Sequence, residues 1–213
     1  MFEADDVIAT TGFTPPLGDL EALGVVTSGR ERIPSQTPLF ESISVPHVYF
    51  AGTVTRGAPG LKKHGLPSSS GAVHGHRYNS RILARHIARK YFGVDPARPV
   101  LKREDVLGYL LSEVTRAPEL WHQKSYLARS LLLDPVRGIV DDGIVPLQLF
   151  ADGEGPDGIA VAVEANPKGE IYPAVYVRKD NVLSEHLLPP NPLLDFETAE
   201  HRAQLTAALA PLL

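Results

Sequence analysis

The stretch from Val45 to Tyr91 constrains the fold more than any other part of the chain. Val45-Pro46-His47-Val48-Tyr49-Phe50-Ala51-Gly52 reads as a short buried strand closed by glycine. It runs into a segment, Gly52 to Gly75, that holds six of the chain's 18 glycines. A helical pattern follows from about Ser70 to Tyr91, with Val73, Leu83, Ala84, Ile87, Ala88 and Tyr91 spaced near the helical period. Strand, glycine-rich loop and helix in that order make a local device. The glycines let backbone approach a ligand closely, and the helix start presents unpaired N–H groups with a partial positive charge. Such a device suits a phosphate or another electron-rich group. The same composition also describes an ordinary strand-to-helix connection, and neither GxGxxG nor a Walker lysine motif accompanies it.

The rest of the chain divides around this unit. Residues 1–94 carry 10 basic and 7 acidic side chains, whereas residues 95–213 carry 11 and 18, so a basic part precedes an acidic one. Gly93-Val94-Asp95-Pro96-Ala97-Arg98-Pro99 lies at the crossover and reads as a linker or helix stop, which puts a domain boundary near residue 95. Before the glycine-rich unit, Asp6-Val7-Ile8-Ala9-Thr10 reads as a buried strand closed by Thr11-Gly12, and a helical turn is expected before Leu23-Gly24. After the boundary, helical character is expected over 105–111 and 121–133. Four strands are expected over 144–150, 159–164, 171–178 and 182–188, then a terminal helix over roughly 196–209. Turn residues at 152–158, 166–169 and 179–181 join the strands into an antiparallel meander, an α+β unit on which the helices pack.

Composition removes several classes of function. With no cysteine, the chain cannot form a disulfide, a thiolate metal site or a cysteine nucleophile. A formal charge of −4 argues against a dedicated nucleic-acid or anionic-membrane binder. No apolar run approaches the length of a membrane span. Acidic residues stand at Glu3, Asp5 and Asp6, where a signal peptide has basic ones, so a soluble, cytoplasmic protein is expected.

Three segments resemble a family. Val7-Ile8-Ala9-Thr10-Thr11-Gly12-Phe13 is similar to the "ATG" segment of flavoproteins with two dinucleotide-binding domains. Val48-Tyr49-Phe50-Ala51-Gly52 is similar to their second FAD motif, and Gly71-Ala72-Val73-His74-Gly75 to the start of their last FAD-domain helix. Order and spacing agree over residues 5–92. The family includes thioredoxin reductases, flavin-containing monooxygenases and other pyridine-nucleotide oxidoreductases. The resemblance implies an α/β FAD-domain remnant over residues 1–94, followed by a separate α+β accessory domain over 95–213. It implies FAD contacts at Thr11, Gly12, Gly52, Thr53, Gly71, Ala72 and Val73. Gly52 and Thr53 would lie beside the ribityl and pyrophosphate, while the amides of Ala72 and Val73 would face the flavin N1/O2 edge. Two positions depart from the pattern: Thr53 stands where many relatives have aspartate, and Thr10 or Thr11 where the motif has alanine.

The βαβ units that carry GxGxxG in this family, for FAD and for NAD(P)H, are absent from the 213 residues. The expectation is therefore the C-terminal part of an FAD-dependent NAD(P)H oxidoreductase, from a split gene, a truncation or a fragment. It would be completed by a separate chain carrying those units or by self-association. The other reading is a non-catalytic remnant whose α+β half serves as a binding or assembly module. Among side chains only His74 is a candidate acid or base, and no metal site is expected, since His74 and His76 point different ways on a helix. Lys62-Lys63-His64 could meet a phosphate or simply face solvent, and Ser68-Ser69-Ser70 reads as helix capping rather than a nucleophile. Arg77, Arg81, Arg85 and Arg89 recur every four residues. They form one stripe that is either solvated or docked on an acidic surface.

Overall fold

A computed structural model describes residues 6, 8, 9, 17–28, 33–60, 68–95 and 97–213. The chain begins with a short helix α1 (Gly18–Ala22) and a two-residue antiparallel pair, β1 (Thr27–Ser28) with β2 (Ile33–Pro34). Two 3-10 turns, Gly52–Gly57 and Ser69–Gly71, lead into the long helix α2 (Val73–Phe92). After β3 (Val100–Leu101) come α3 (Val106–Arg116), α4 (Pro118–His122), β4 (Leu127–Asp134), β5 (Gly138–Pro146) and α5 (Leu147–Asp152). β6 (Gly158–Ala165), β7 (Ile171–Lys179), β8 (Val182–Leu187) and α6 (Ala199–Leu209) complete the chain. The architecture is mixed, with one six-stranded sheet in the order β3-β5-β4-β6-β7-β8 and antiparallel at every pairing.

Burial on both sides explains the central strand. Every residue of β6 is buried. Its Ile159, Val161 and Val163 enter the main core with Leu110 and Leu111 of α3, Leu120 of α4 and Leu205 of α6. The alternate residues Ala160 and Ala162 pack with Leu147 and Phe150 of α5 and Tyr176 of β7 on the other face. Helices therefore cover both sides of the sheet, as the period-2 alternation of a strand requires. The main core does not stop at residue 95: Phe40, Ala58, Tyr78, Ile82 and Leu83 belong to it as well.

Helix α2 agrees in extent with the sequence expectation, but its buried face differs. Gly75, Tyr78, Asn79, Ile82 and Leu83 are buried, while Val73, Ala84 and Tyr91 are exposed. Gly93 ends the helix in the left-handed conformation at φ 62°, a backbone cap that glycine adopts without a Cβ penalty. Neither of the two strands expected before it is present among the described residues, Val7 and Thr10 lying outside them. Asp6, Ile8 and Ala9 lie in no strand, and Ile8 is 88% exposed. Residues 45–52 make only the single bridge Glu41↔Tyr49. Pro46 offers no N–H, His47 turns at φ 67°, and the segment folds back on the residues before it, with Ser42 N–H donating to Val48 O and Phe50 N–H to Phe40 O.

In the second half the meander is present, with three corrections. Residues 127–133, expected to be helical, form the strand β4. Leu, Ala and Arg favour helix weakly, and a slot between β5 and β6 overrides that preference. The strand expected over 144–150 ends at Pro146, after which Leu147 and Phe150 bury one face of α5. The terminal helix starts at Ala199 rather than near Phe196. Thr198 caps it by accepting from His201 N–H at 3.3 Å.

Candidate functional site

The glycine-rich motifs come together at the start of α2. The 3-10 turns Gly52–Gly57 and Ser69–Gly71 pack against each other and against the helix. Gly52 takes φ 78°, open to glycine, while Thr53, Gly71, Val73 and His74 are exposed on the same end of the helix. Ala72 is extended at the N-cap and no side chain caps the helix, so the serines before it are not caps as expected. Gly75 is dictated by packing: a Cβ there would overlap the carbonyl oxygen of Ser69. Thr11 and Gly12, with Lys62, Lys63 and His64, lie outside the described residues. His74 sits on the first turn, its ring 4.9 Å from that of His122, which stacks on Tyr78. Burial, then the charges of His74, Arg77 and Lys124, hold His122 below its ordinary value. No carboxylate hydrogen-bonds either ring among the described residues.

Behind this end lies a buried polar lock. Asn79 donates to Thr55 Oγ1 at 2.9 Å and to Ser70 Oγ at 3.1 Å. Gln123, fully buried, donates to Asn79 Oδ1 at 2.7 Å and to Gly75 O, and accepts from Ser70 Oγ. Ser68 and Ser70 thus bond inward, to each other at 2.8 Å and, through Ser70, to Gln123, rather than capping the helix. With every partner present the network is satisfied and fixes both turns on the helix.

A second constellation lies on the far half of α2, where it faces β5 across a cavity of about 320 Å³. Its cause is a β-bulge. Ser130 pairs with Gly143 and Leu131 with Asp141, which leaves Asp142 as the extra residue, and Gly143 takes φ 89°. The bulge turns Asp142 toward Arg98 (2.7 Å), while Asp141 accepts from Gly143 N–H, Tyr109 Oη and Arg129. Arg98 also holds Asp95, which Arg89 reaches at 3.5 Å. The arginine stripe is thus partly docked: Arg81 lies 3.9 Å from Glu119, and Arg85 lies against Gly143, where a Cβ would meet its Nη1 at 2.8 Å. Burial pushes the Asp142 carboxyl up, against the opposing pull of Arg98, Arg89 and Arg85. His86 lines the same cavity, with Nε2 buried and without a hydrogen-bond partner among the described residues. Burial first, then the charge of Lys90, holds its imidazole below the ordinary value, so it stays neutral.

Sequence reasoning placed none of Asp95, Arg98, Asp142 or His86 in a site. The available signal was Asp141-Asp142-Gly143 inside an apolar pattern, since glycine within a strand marks a bulge. Among the described residues, no group of three histidines or carboxylates is arranged to hold a metal ion, and no helix is long and apolar enough to cross a membrane. Set against protein-family models, curated proteins and solved structures, the chain matches none.

Proposed function

We propose that this chain is the C-terminal part of an FAD-dependent NAD(P)H oxidoreductase and completes a flavin site at the start of α2. The observation that carries the reading is the meeting of two motif segments distant in sequence. Gly52-Thr53 and Gly71-Ala72-Val73 flank one exposed helix start whose backbone donors no side chain caps. The residues present fit one edge of such a site. Gly52 presents backbone without a side chain, Gly75 lets the preceding turn close on the helix, and the lock beneath keeps both rigid. They do not fit the pyrophosphate cradle, which needs GxGxxG units supplied by polypeptide beyond these 213 residues.

FAD, when bound, would supply the hydride chemistry between a nicotinamide and an acceptor. The chain's own part is electrostatic. The amide of Val73, at the positive end of a 20-residue helix, stabilises negative charge on whatever faces it, whereas the Ala72 N–H is already donated to Ser69 O at 2.9 Å. Thr53 contributes a hydroxyl and no charge. His74 is exposed beside His122 and is assigned no proton transfer.

The test is to purify the chain alone and after co-expression with a polypeptide carrying the GxGxxG units. Flavin absorbance at about 450 nm in the co-purified complex, with a rise in Tm on adding FAD, is the expected outcome. Colourless protein in both preparations, with no FAD-dependent change in Tm, would overturn the proposal and favour an assembly module.

A further inference from the structure

The cavity between α2 and the β5 bulge does not belong to the flavin reading, and its charges are arranged unlike a plain structural ion-pair cluster. Each carboxylate on its wall already has a guanidinium. Arg98 holds Asp142 and Asp95, Arg89 reaches Asp95, and Arg129 bridges Glu113 (2.7 Å) and Asp141. Arg85 is the remainder: it lines the cavity and has no carboxylate within ion-pair distance among the described residues. It is held there because Gly143 has no side chain to fill the space. Next to it on the helix, His86 brings a buried ring nitrogen that has no partner among the described residues. A buried polar atom left unpaired costs about 1–3 kcal/mol and calls for an explanation. The remaining wall is apolar, from Leu39, Ile82, Ile144, Val145 and Leu149.

From this geometry we infer that the cavity binds a small carboxylate with an apolar body. Arg85 takes the carboxylate in a charge-assisted pair, Nε2–H of His86 donates a further bond to it, and Ile82, Ile144 and Leu149 receive the body. Four guanidiniums (Arg85, Arg89, Arg98 and Arg129) stand against four carboxylates (Asp95, Asp141, Asp142 and Glu113), and Arg85 alone of the four has no carboxylate partner among the described residues, so the site offers one cation to a ligand. A phosphate dianion would bring a second negative charge that no free guanidinium meets, beside Asp142 and Asp95, so the site favours a monoanion. The volume holds a ligand of roughly ten heavy atoms or fewer, at the small end of ligand sites.

Isothermal titration of the 213-residue chain without FAD tests this, at fixed ionic strength, with hexanoate, hexanamide and inorganic phosphate as probes. Hexanoate is expected to saturate one site and to raise Tm. Hexanamide, isosteric but uncharged, should bind at least about tenfold more weakly, and phosphate should not saturate. Arg85→Gln should weaken hexanoate by about tenfold or more. Arg77→Gln, on the same stripe but at the other end of the helix, should leave it unchanged, with both variants keeping the parent's circular dichroism. No saturable hexanoate binding at millimolar concentration would overturn the assignment. So would equal binding of hexanamide, tighter binding of phosphate, or equal losses in the two variants. Because no flavin is present, failure here leaves the flavin proposal standing, and success does not support it.

Discussion

Two glycines do most to shape the two candidate sites, for different reasons. At Gly143 the constraint is conformational, a φ of 89° within a strand, and the missing Cβ makes room for Arg85. At Gly75 the backbone is ordinary helix, and the constraint is contact with the preceding turn, whose Ser69 carbonyl occupies the place of a side chain. Gly75→Ala must therefore push the turn off the helix and should cost about 1–3 kcal/mol, as other overpacking substitutions do. Gly71→Ala is the control. Its Cβ would have Arg56 Cδ at 3.6 Å as nearest neighbour, an ordinary contact, and the change should stay within about 0.5 kcal/mol. Thermal melts of the two variants decide the matter, and equal shifts would refute the packing account. The glycine positions were visible in the sequence as punctuation. Which of them answer to φ and which to a neighbour was not, because the neighbour of Gly75 depends on how residues 68–71 turn.

At the scale of elements, the segment 36–50 is attached to the last turns of α2 by a polar clasp. Glu41 accepts from His47 N–H at 2.9 Å and from Lys90 Nζ at 3.0 Å. Lys90 also donates to Tyr49 Oη, which lies 3.0 Å from Tyr91 Oη. The His47 amide first, and then Lys90, hold the Glu41 carboxyl below its ordinary value of 4.5. A depressed carboxylate stabilises the fold fully above its unfolded pKa, and loses that contribution as pH falls through the folded one. Glu41→Gln should therefore be less stable than the parent by about 1 kcal/mol at pH 7, the size of one such hydrogen bond. In urea titrations the deficit should shrink as pH drops below about 4, and a constant deficit would exclude this role for the charge. This clasp also shows where element reading from sequence stops. Helices α2 and α3 and strands β6 and β7 were legible, since each carries its own periodicity or run of buried apolar residues, whereas β8, exposed along almost its whole length, was legible from the turn residues at 179–181 that precede it. Residues 45–52 have strand composition but no strand beside them, and Leu127–Asp134 have helix composition in a slot that only a strand fills. Both outcomes belong to neighbours and not to the segment. The cavity was hidden for the same reason: Arg85 and Asp142 meet only once β5 bulges toward α2.

Across the whole molecule, the basic and acidic parts that meet near residue 95 are joined by more than charge. The ion pairs between them are half-exposed, such as Arg81–Glu119 with Arg81 72% exposed, and pairs of that kind contribute under about 1 kcal/mol each. The stronger bonds are buried. Phe40, Tyr78, Ile82 and Leu83 share a core with Leu110, Leu120 and Leu127, and the side chains of Asn79 and Gln123 interlock with no water-facing alternative. Asn79→Ala would leave Gln123 Nε2 short of its 2.7 Å acceptor and take a donor from Ser70 and Thr55. The expected loss is about 3 kcal/mol, from one or two buried groups left unpaired. The single tryptophan makes the consequence readable. Trp121 stacks on Phe196 and donates to Thr115 O, so its fluorescence follows α3, α4 and the approach to α6, all within residues 95–213. If the shared core and the lock make one cooperative unit, urea unfolding of the parent gives a single transition by fluorescence and by circular dichroism. Asn79→Ala then moves that transition as a whole to lower urea with an unchanged slope. If residues 95–213 fold on their own, the fluorescence transition stays where it was while the circular dichroism splits in two. That result would show that the contacts across residue 95 are adhesion between two independent units.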